Sequence, residues 1–362
     1  MYSANGCEGP SGIESERLPG QSQQAYDQST EVVEVFMKLS FPGGIEDNIP
    51  SMSSIIKQNV FLVGATGRTG GSIARELTKQ PERFEVKAIV RSSSLDKPVI
   101  KELTSLGVKF ITGDIVNDTQ ETLEAHLKGV DTVIITTIPV PEGQQDNLLR
   151  AAKAAGVNRV VPSEFAGYSP PGSMQYQDMK LRTQKFIVEN NIPYTFIQVG
   201  VWPDAVLPLP HSVDGGPMAN LFQKQFHGSG KVKASWTSLE RVGDFVARII
   251  SDPRTLNHTV QTWDGEVTLD EVYALASKLT GENFDDYHRL SLEEVESQCG
   301  KDLWTSVGPE YSRSIWFRGE NTVENAVGAG ALDARALYPD YKPPSLEVIA
   351  REFYSKHGAL VN

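Results

Sequence analysis

Cysteine and histidine are scarce in this sequence of 362 residues, which holds 2 cysteines and 6 histidines. Cys7 and Cys299 stand far apart and provide no disulfide framework. The histidines are scattered, without the short spacing that a metal site needs. The sequence therefore predicts no bound metal. It also favours a reducing compartment, and we expect a cytoplasmic protein.

Basic residues and long apolar runs are also few. The 34 lysines and arginines are outnumbered by 46 aspartates and glutamates, which gives a formal net charge of -12. Such an acidic chain is a poor partner for nucleic acid, and no apolar run reaches the length of a membrane span. Hydrophobic residues make up 39% of the chain, enough for one or two cores. We expect a globular monomer or homodimer whose partner is a small molecule.

Residues 1–57 differ in composition from the rest of the chain. Their first half is rich in serine, glycine, glutamine and acidic residues, a composition that is typical of disordered segments. No basic start followed by an apolar core is visible, so no signal peptide is predicted. The stretch "MSSIIKQNVFLVGATG" suggests a natural beginning at Met52. We therefore expect an extra N-terminal extension that is dispensable or belongs to a mis-assigned start.

From residue 58 to residue 200, apolar runs of strand length alternate with helical stretches. This alternation predicts parallel βαβ units, and thus an α/β fold with a doubly wound parallel Rossmann sheet. After residue 200 the pattern becomes irregular, and we expect residues 201–362 to form a smaller α/β substrate-binding region. The predicted strands are 59–64, 84–91, 108–114, 130–138, 157–165 and 194–200. The predicted helices are 70–80, 99–107, 120–129, 143–156 and 174–191.

The first strand is followed by the glycine-rich turn "GATGRTGG". Gly64, Gly67 and Gly70 have the spacing that permits a tight turn, close approach to a diphosphate and close packing of the next helix. Free N–H groups at the start of that helix then face the anion. The turn predicts a dinucleotide site, and its other predicted cofactor-binding residues are Thr66, Arg68 and Thr69. The alternative is a glycine-rich turn without a ligand.

Basic and hydroxyl residues follow the second predicted strand in "AIVRSSSLDK". An NAD-preferring site usually has an acidic residue here to bind the ribose 2′-hydroxyl. Arg91 stands there instead, and a guanidinium pairs with a 2′-phosphate through two hydrogen bonds. Lys97, and Arg68 from the glycine turn, add further positive charge. We therefore predict NADPH as the cofactor, against the alternative that these are solvated surface charges.

Polar residues also end the third and fourth predicted strands. Open α/β sheets bind ligands at the carboxyl ends of their strands. Asp114 is therefore predicted to contact the adenine, or else to cap its own turn. Thr136 and Thr137 are predicted to lie on the nicotinamide side, and Thr137 is included among the cofactor-binding residues.

Ser163 ends the fifth predicted strand, and the next helix carries Tyr176 and Lys180, four residues apart. On a helix this spacing places both side chains on one face. The spacing alone is weak, because it recurs at Tyr338 and Lys342 in "YPDYKPP", where the prolines exclude a helix. The position after the fifth strand is what makes Ser163, Tyr176 and Lys180 candidate catalytic residues.

A strand-end serine followed by Tyr-x-x-x-Lys resembles the catalytic set of short-chain dehydrogenase/reductases. Several segments are closer to the atypical branch that contains NmrA-like proteins and the isoflavone, phenylcoumaran and pinoresinol reductases. They are "GATGRTG", "GQQDNLLRAAKAAGVNRVVPSEFAG", the threonine of "NIPYTF" fifteen residues after Lys180, and "GKVKASWTSLERVGDFVARIISDP". The likeness covers roughly residues 58 to 355.

This resemblance implies that Lys180 is catalytic and also contacts the cofactor, whereas a tyrosine four residues earlier is not general in the atypical group. Two mechanisms follow. Tyr176 donates a proton while Lys180 lowers its pKa and holds the nicotinamide ribose, with Ser163 polarising the same substrate oxygen. Alternatively, Lys180 is the acid/base by itself and Tyr176 is a packing residue.

The irregular stretch "VWPDAVLPLPHSVDGGP" is too apolar for a linker, and we expect it to form one wall of the substrate pocket. Trp202 is a substrate contact or part of the core, and His211 is a second acid/base or a solvated loop residue. The wall suggests an apolar, aromatic or polycyclic metabolite. We predict an NADPH-dependent reductase. The rival is a non-catalytic NAD(P)-binding regulator, and redox-neutral chemistry on the same scaffold is a third possibility.

Overall fold

The computed structural model describes residues 57–137 and 145–361, apart from the side chains of residues 217 and 218. All but the last residue of the predicted N-terminal extension lie outside this range. Among the described residues, no helix is both long and apolar enough to cross a bilayer. In the same ranges, no group of three or more histidine, cysteine or acidic side chains is arranged to hold a metal ion.

Five parallel strands form the central sheet, in the order β3-β2-β1-β4-β5. This order places β1 in the middle, and the chain winds outward from it in both directions, which confirms the predicted doubly wound α/β fold. The strands are β1 (Gln58–Val63), β2 (Phe84–Val90), β3 (Lys109–Thr112), β4 (Thr132–Ile135) and β5 (Arg159–Val161). The helices of this half are α1 (Arg68–Thr78), α2 (Pro98–Ser105), α3 (Gln120–Leu127), α4 (Asp146–Ala154) and α5 (Gln175–Glu189), with a 3-10 turn at Ser92–Ser94.

The sheet is covered on both faces, as its apolar strands require. One buried cluster includes Ile73 and Leu77 of α1 together with Val242 and Phe245 from the C-terminal half. The second cluster gathers side chains from α3, α4 and the opposite faces of β1 and β4. Alternate residues of β1 thus point into different clusters, which explains why residues 60–63 are all apolar rather than alternating with polar residues.

Three further strands continue the parallel arrangement beyond β5. A bridge between Val160 and Tyr194 brings β6 (Thr195–Gln198) beside β5. The strand β9 (His258–Gln261) pairs with β6, and β12 (Leu332–Asp333) pairs with β9, both parallel. Strands on the two sides of residue 200 therefore pair directly, and the domain boundary at that residue stays a prediction.

A third buried cluster lies in the C-terminal part of the chain and contains Trp236, Tyr273, Trp316 and Tyr354. The strand β7 (Gln225–His227) pairs with β11 (His288–Leu290) in parallel. The strand β8 (Lys233–Trp236) pairs with β10 (Gly265–Thr268) in antiparallel orientation. The helices are α6 (Gly216–Gln223), α7 (Leu239–Ser251), α8 (Leu269–Thr280), α9 (Leu292–Glu296), α10 (Leu303–Ser312), α11 (Val323–Gly328), α12 (Ala334–Leu337) and α13 (Leu346–Lys356), with 3-10 turns at Pro203–Ala205 and Pro253–Thr255 and a π-helical turn at Arg313–Phe317.

Candidate active site

The turn between β1 and α1 is closed by backbone contacts that leave no room for side chains. Gly64 has a φ of 86°, a left-handed conformation that favours glycine, and its carbonyl accepts the N–H of Gly67 at 2.9 Å. A Cβ on Gly70 would lie 2.3 Å from the Gly64 carbonyl oxygen and 2.7 Å from Thr136 Oγ1. Glycine is therefore required at both ends of the turn.

The start of α1 leaves its backbone N–H groups available. Gly67 occupies the capping position and offers no side chain, and the first turn of the helix carries no acidic residue. Thr69 is buried, Thr66 is partly exposed and Arg68 is exposed. A helix of eleven residues that begins in this way suits an anion such as a diphosphate. The glycine turn thus has the geometry that the dinucleotide prediction requires.

Arg91 and Lys97 lie after β2, and both are exposed. Arg91 directly follows the strand and precedes the 3-10 turn Ser92–Ser94, so a cation stands where the predicted 2′-phosphate site lies. The carboxylate of Asp114 accepts the backbone N–H of Val116 at 2.9 Å, and this bond is the largest cause of its lowered pKa. Asp114 therefore caps its own turn, the second of its two predicted roles.

Arg68 links the glycine turn to the proline-rich wall segment, residues 201–217. Its guanidinium forms an ion pair with the carboxylate of Asp204 and lies 5.7 Å from the ring centroid of Trp202. Trp202 is partly buried and packs against the first core cluster. The positive charge of Arg68 is thus already paired with the wall segment, although the side chain is exposed.

Hydroxyl groups connect the carboxyl ends of the central strands. Thr136 Oγ1, just after β4, donates to the carbonyl of Val63 at the end of β1, at 2.8 Å. Ser163, just after β5, is buried, and its Oγ donates to the carbonyl of Thr137 at 2.5 Å. These bonds hold three strand ends together. The bond to Thr137 also occupies the hydroxyl proton of Ser163. This bond must break before the hydroxyl can donate to a substrate oxygen and polarise it.

Lys180 lies on α5 with 5% of its surface exposed, and its Nζ donates to the backbone carbonyl of Glu164. The same amine sits over the ring of Tyr176, 5.2 Å from its centroid. Burial lowers the pKa of Lys180, because it disfavours the charged ammonium, and the nearby Glu164 carboxyl opposes this effect. A buried lysine whose pKa is lowered in this way is a candidate acid/base group.

Tyr176 shares a face of α5 with Lys180, as the spacing predicts, but its hydroxyl is not activated. Burial and, to a smaller extent, the Glu164 carboxyl raise its pKa to about 12. Its ring contacts Tyr311 of α10, with centroids 6.2 Å apart. Within residues 57–137 and 145–361, no hydrogen bond forms at the Tyr176 hydroxyl. The Lys180 amine meets the aromatic ring, not the hydroxyl.

The N-terminal end of α5 is fixed by carboxylates from the C-terminal part of the chain. Glu310 accepts the backbone N–H of Gln175 at 2.8 Å and its side-chain amide at 3.0 Å. Glu320 accepts the hydroxyls of three serines in the preceding loop and the π-helical turn. They are Ser169 at 3.2 Å, Ser173 at 2.8 Å and Ser314 at 2.6 Å. Residues more than a hundred positions away thus hold the helix that carries Lys180.

Two site residues, Glu164 and Tyr311, were not predicted from the sequence. Glu164 follows Ser163 directly, so its position at a strand end was the available signal. Tyr311 has no such signal, because α10 reaches α5 only through the fold.

His211 of the wall segment pairs with Glu282 at 2.6 Å and Asp286 at 3.0 Å on the surface, and these carboxylates raise its pKa.

The sheet order and the glycine-rich turn after β1 define a Rossmann-type α/β fold. The chain belongs to the NmrA-like family, whose model matches residues 56–347.

Two named relatives of this chain are a dehydrogenase and a reductase. Asnovolin J 5',6'-dehydrogenase of Aspergillus novofumigatus is 30% identical over 309 residues, which cover 78% of this chain and 91% of that protein. Phenylcoumaran benzylic ether reductase TP7 of Nicotiana tabacum is 28% identical over 312 residues, covering 80% of this chain and 97% of that protein.

Solved structures give the same fold. A crystal structure of isoflavone reductase matches with a TM-score of 0.69 and 25% identity, covering 82% of this chain and 99% of that one. The binary complex of leucoanthocyanidin reductase with NADPH, from Vitis vinifera, matches with a TM-score of 0.68 and 23% identity, at the same coverage.

Proposed function

We propose that the protein is an NADPH-dependent oxidoreductase of the atypical short-chain dehydrogenase/reductase type. Its substrate is a small, mainly apolar secondary metabolite with an aromatic or polycyclic frame, and it works in the cytoplasm as a monomer or homodimer. The family, the glycine turn and the named relatives support this proposal. The observation that carries it is the buried amine of Lys180 at the carboxyl edge of the sheet.

The residues of the first half fit NADPH. The backbone of Gly64, Gly67 and Gly70 and the start of α1 receive the diphosphate, in space that side chains would fill. Arg91 and Lys97 pair with the 2′-phosphate. Thr66, Thr69 and Thr137 line the same strand ends. When bound, NADPH supplies a hydride, and the protein has to orient the substrate and manage the accompanying proton.

Lys180 is the acid/base in this proposal. Its amine is buried, its pKa is lowered, and the Glu164 carbonyl fixes its position. An oxygen or carbon of the substrate at this strand end would exchange a proton with the Lys180 amine. The raised pKa of Tyr176 and the amine over its ring support the alternative in which Tyr176 only packs beneath Lys180. Ser163 then assists by orienting the substrate oxygen.

A screen of metabolite extracts for NADPH oxidation tests this function and provides a substrate. The Lys180→Met variant should lose about a hundredfold or more in turnover, the scale of acid–base assistance, because it keeps the length of the side chain but not the amine. Lys185→Met is the matched control, since Lys185 lies on the same helix with its side chain exposed, and it should behave as wild type.

Full turnover in Lys180→Met with NADPH bound would contradict the proposed mechanism. Tight NADPH binding with no NADPH-consuming substrate in any extract would instead favour the non-catalytic NAD(P)-sensing regulator.

A further inference from the structure

A second buried ionisable group lies beside Lys180. Glu164 stands between β5 and α5 with 3% of its surface exposed, and the oxidoreductase proposal uses its backbone carbonyl but gives its carboxyl group no role. A carboxylate buried at this depth is costly unless it is paired or protonated. Its position directly after Ser163, at the end of a central strand, makes it a candidate for a functional role.

The backbone around Glu164 is bent to present this residue to α5. The N–H of Glu164 bonds to the carbonyl of Pro162 at 2.8 Å, and the next residue, Phe165, has a φ of 29°. A positive φ is unfavourable for a bulky side chain, so the surrounding structure must hold it. The N–H of Phe165 is bonded to Ile197 in β6 at 3.0 Å. The turn therefore places the Glu164 carbonyl where it accepts a hydrogen bond from the amine of Lys180.

The charges of Lys180 and Glu164 act on each other. Burial lowers the pKa of Lys180 and raises the pKa of Glu164, and each group opposes the effect on its partner. The Gln184 side chain also acts to lower the pKa of Glu164. The other titratable groups influenced by Glu164 are Tyr176 on α5 and Tyr311 on α10, both with raised pKa values. Among the residues that the structure describes, Glu164 is the one charged group that affects the pKa of Lys180.

We propose that Glu164 is a positioning residue that sets the proton occupancy of the Lys180 amine. The carboxylate stabilises the ammonium form, while its own backbone carbonyl keeps the amine in place. Two buried groups coupled in this way titrate as a unit, so Lys180 without Glu164 loses its proton at a lower pH. The catalytic consequence rests on the proposed function of Lys180 as the acid/base, but the titration itself does not.

Glu164→Gln tests this inference cleanly, because it removes the charge and keeps both the backbone carbonyl and the approximate shape. The titration of Lys180 is followed through its side-chain resonance in protein labelled with carbon-13 lysine. The resonance is assigned by its absence in Lys180→Met and Lys180→Arg. We expect the midpoint to fall by about one pH unit or more, the scale for losing an opposite charge nearby. An unchanged midpoint would overturn the proposal.

Two further variants make the result specific. Glu310→Gln is the matched control, since Glu310 is also buried and bonds to α5 but does not act on the charge of Lys180. It should lower thermal stability and leave the Lys180 midpoint in place; an equal shift in Glu310→Gln would contradict a specific role for Glu164. If Glu164→Gln does not fold, Gln184→Leu weakens the carboxylate form of Glu164 and should lower the midpoint in the same direction.

The same shift should appear in turnover once a substrate is in hand. In the pH profile of kcat/KM, the limb that reports the titration of Lys180 should move to lower pH in Glu164→Gln. The same shift should appear when Glu164→Gln is combined with Tyr176→Phe. That background excludes Tyr176 as the source, because its pKa also responds to Glu164. A shifted midpoint with full turnover in Lys180→Met would refute the proposed function alone. An unshifted midpoint with Lys180→Met inactive would refute the role of Glu164 alone.

Discussion

Two strand-to-helix turns at the same edge of the sheet form the candidate site in different ways. The β1–α1 turn offers backbone groups and depends on the absence of side chains at Gly64 and Gly70. The β5–α5 connection offers buried side chains instead, with Ser163 and Glu164 in the turn and Lys180 on α5. The first turn is complete within seven consecutive residues, whereas the second depends on partners from the C-terminal part of the chain. The predicted cofactor-binding turn is therefore a local feature of the sequence, whereas the arrangement of the candidate catalytic residues depends on the whole fold.

The largest effect on NADPH binding is expected in the β1–α1 turn. A Cβ in Gly70→Ala would lie 2.3 Å from the Gly64 carbonyl oxygen, so the backbone must shift. We expect NADPH affinity to fall by about tenfold to a hundredfold, the range for overpacking a tight site. Titration of NADPH by fluorescence measures this. Gly328→Ala, where an added Cβ meets no neighbour within 4 Å, is the control, and equal losses in both variants would contradict the account.

Arg91→Asp tests the contribution of a side chain to cofactor binding in the predicted nucleotide-binding region. Removing the guanidinium should weaken NADPH binding by about tenfold, the scale of a charged hydrogen bond, and should leave NADH binding much less affected. Arg351→Asp makes the same charge change on the exposed surface of α13 and should not alter the preference. Equal affinity of the wild-type protein for NADPH and NADH would rule out the 2′-phosphate role of Arg91.

The difference between the turns also explains what the sequence could predict. The glycines, Arg91 and the strand–helix alternation are local features, and the predicted strand 84–91 differs from β2 by one residue. The pairing of β6 with β9 has no local pattern, because both strands have four residues and meet through the fold. The face shared by Tyr176 and Lys180 was predictable from the helix period. The contact of the amine with Glu164 was not, because it depends on the bend at Phe165.

Glu320→Gln tests the long-range support of the second turn. The carboxylate accepts three serine hydroxyls, and weakening these bonds should cost about 1–3 kcal/mol of unfolding free energy. Thermal denaturation should show a melting temperature several degrees lower, and turnover should fall a few-fold while NADPH affinity is kept. Glu324→Gln, at an exposed position in α11, is the control. A loss of NADPH affinity equal to the loss of turnover would contradict the separation of the two turns.

The smallest effect is expected for Tyr176→Phe. The substitution deletes the hydroxyl and keeps the ring beneath the Lys180 amine. If Lys180 is the acid/base by itself, steady-state turnover should change by less than about threefold, well below the loss of an acid–base group. A loss as large as that of Lys180→Met, with a double mutant little worse than either, would show that the two residues act as a unit.

The central claim is that hydride passes between nicotinamide and substrate at the edge where the two turns meet. It is tested most directly with NADPH dideuterated at the reduced carbon of its nicotinamide and the substrate found in the extract screen. Mass spectrometry of the product should show one deuterium per molecule formed by the wild-type protein, and almost no labelled product with Lys180→Met. A product that forms without deuterium would contradict the account and indicate redox-neutral chemistry on this scaffold.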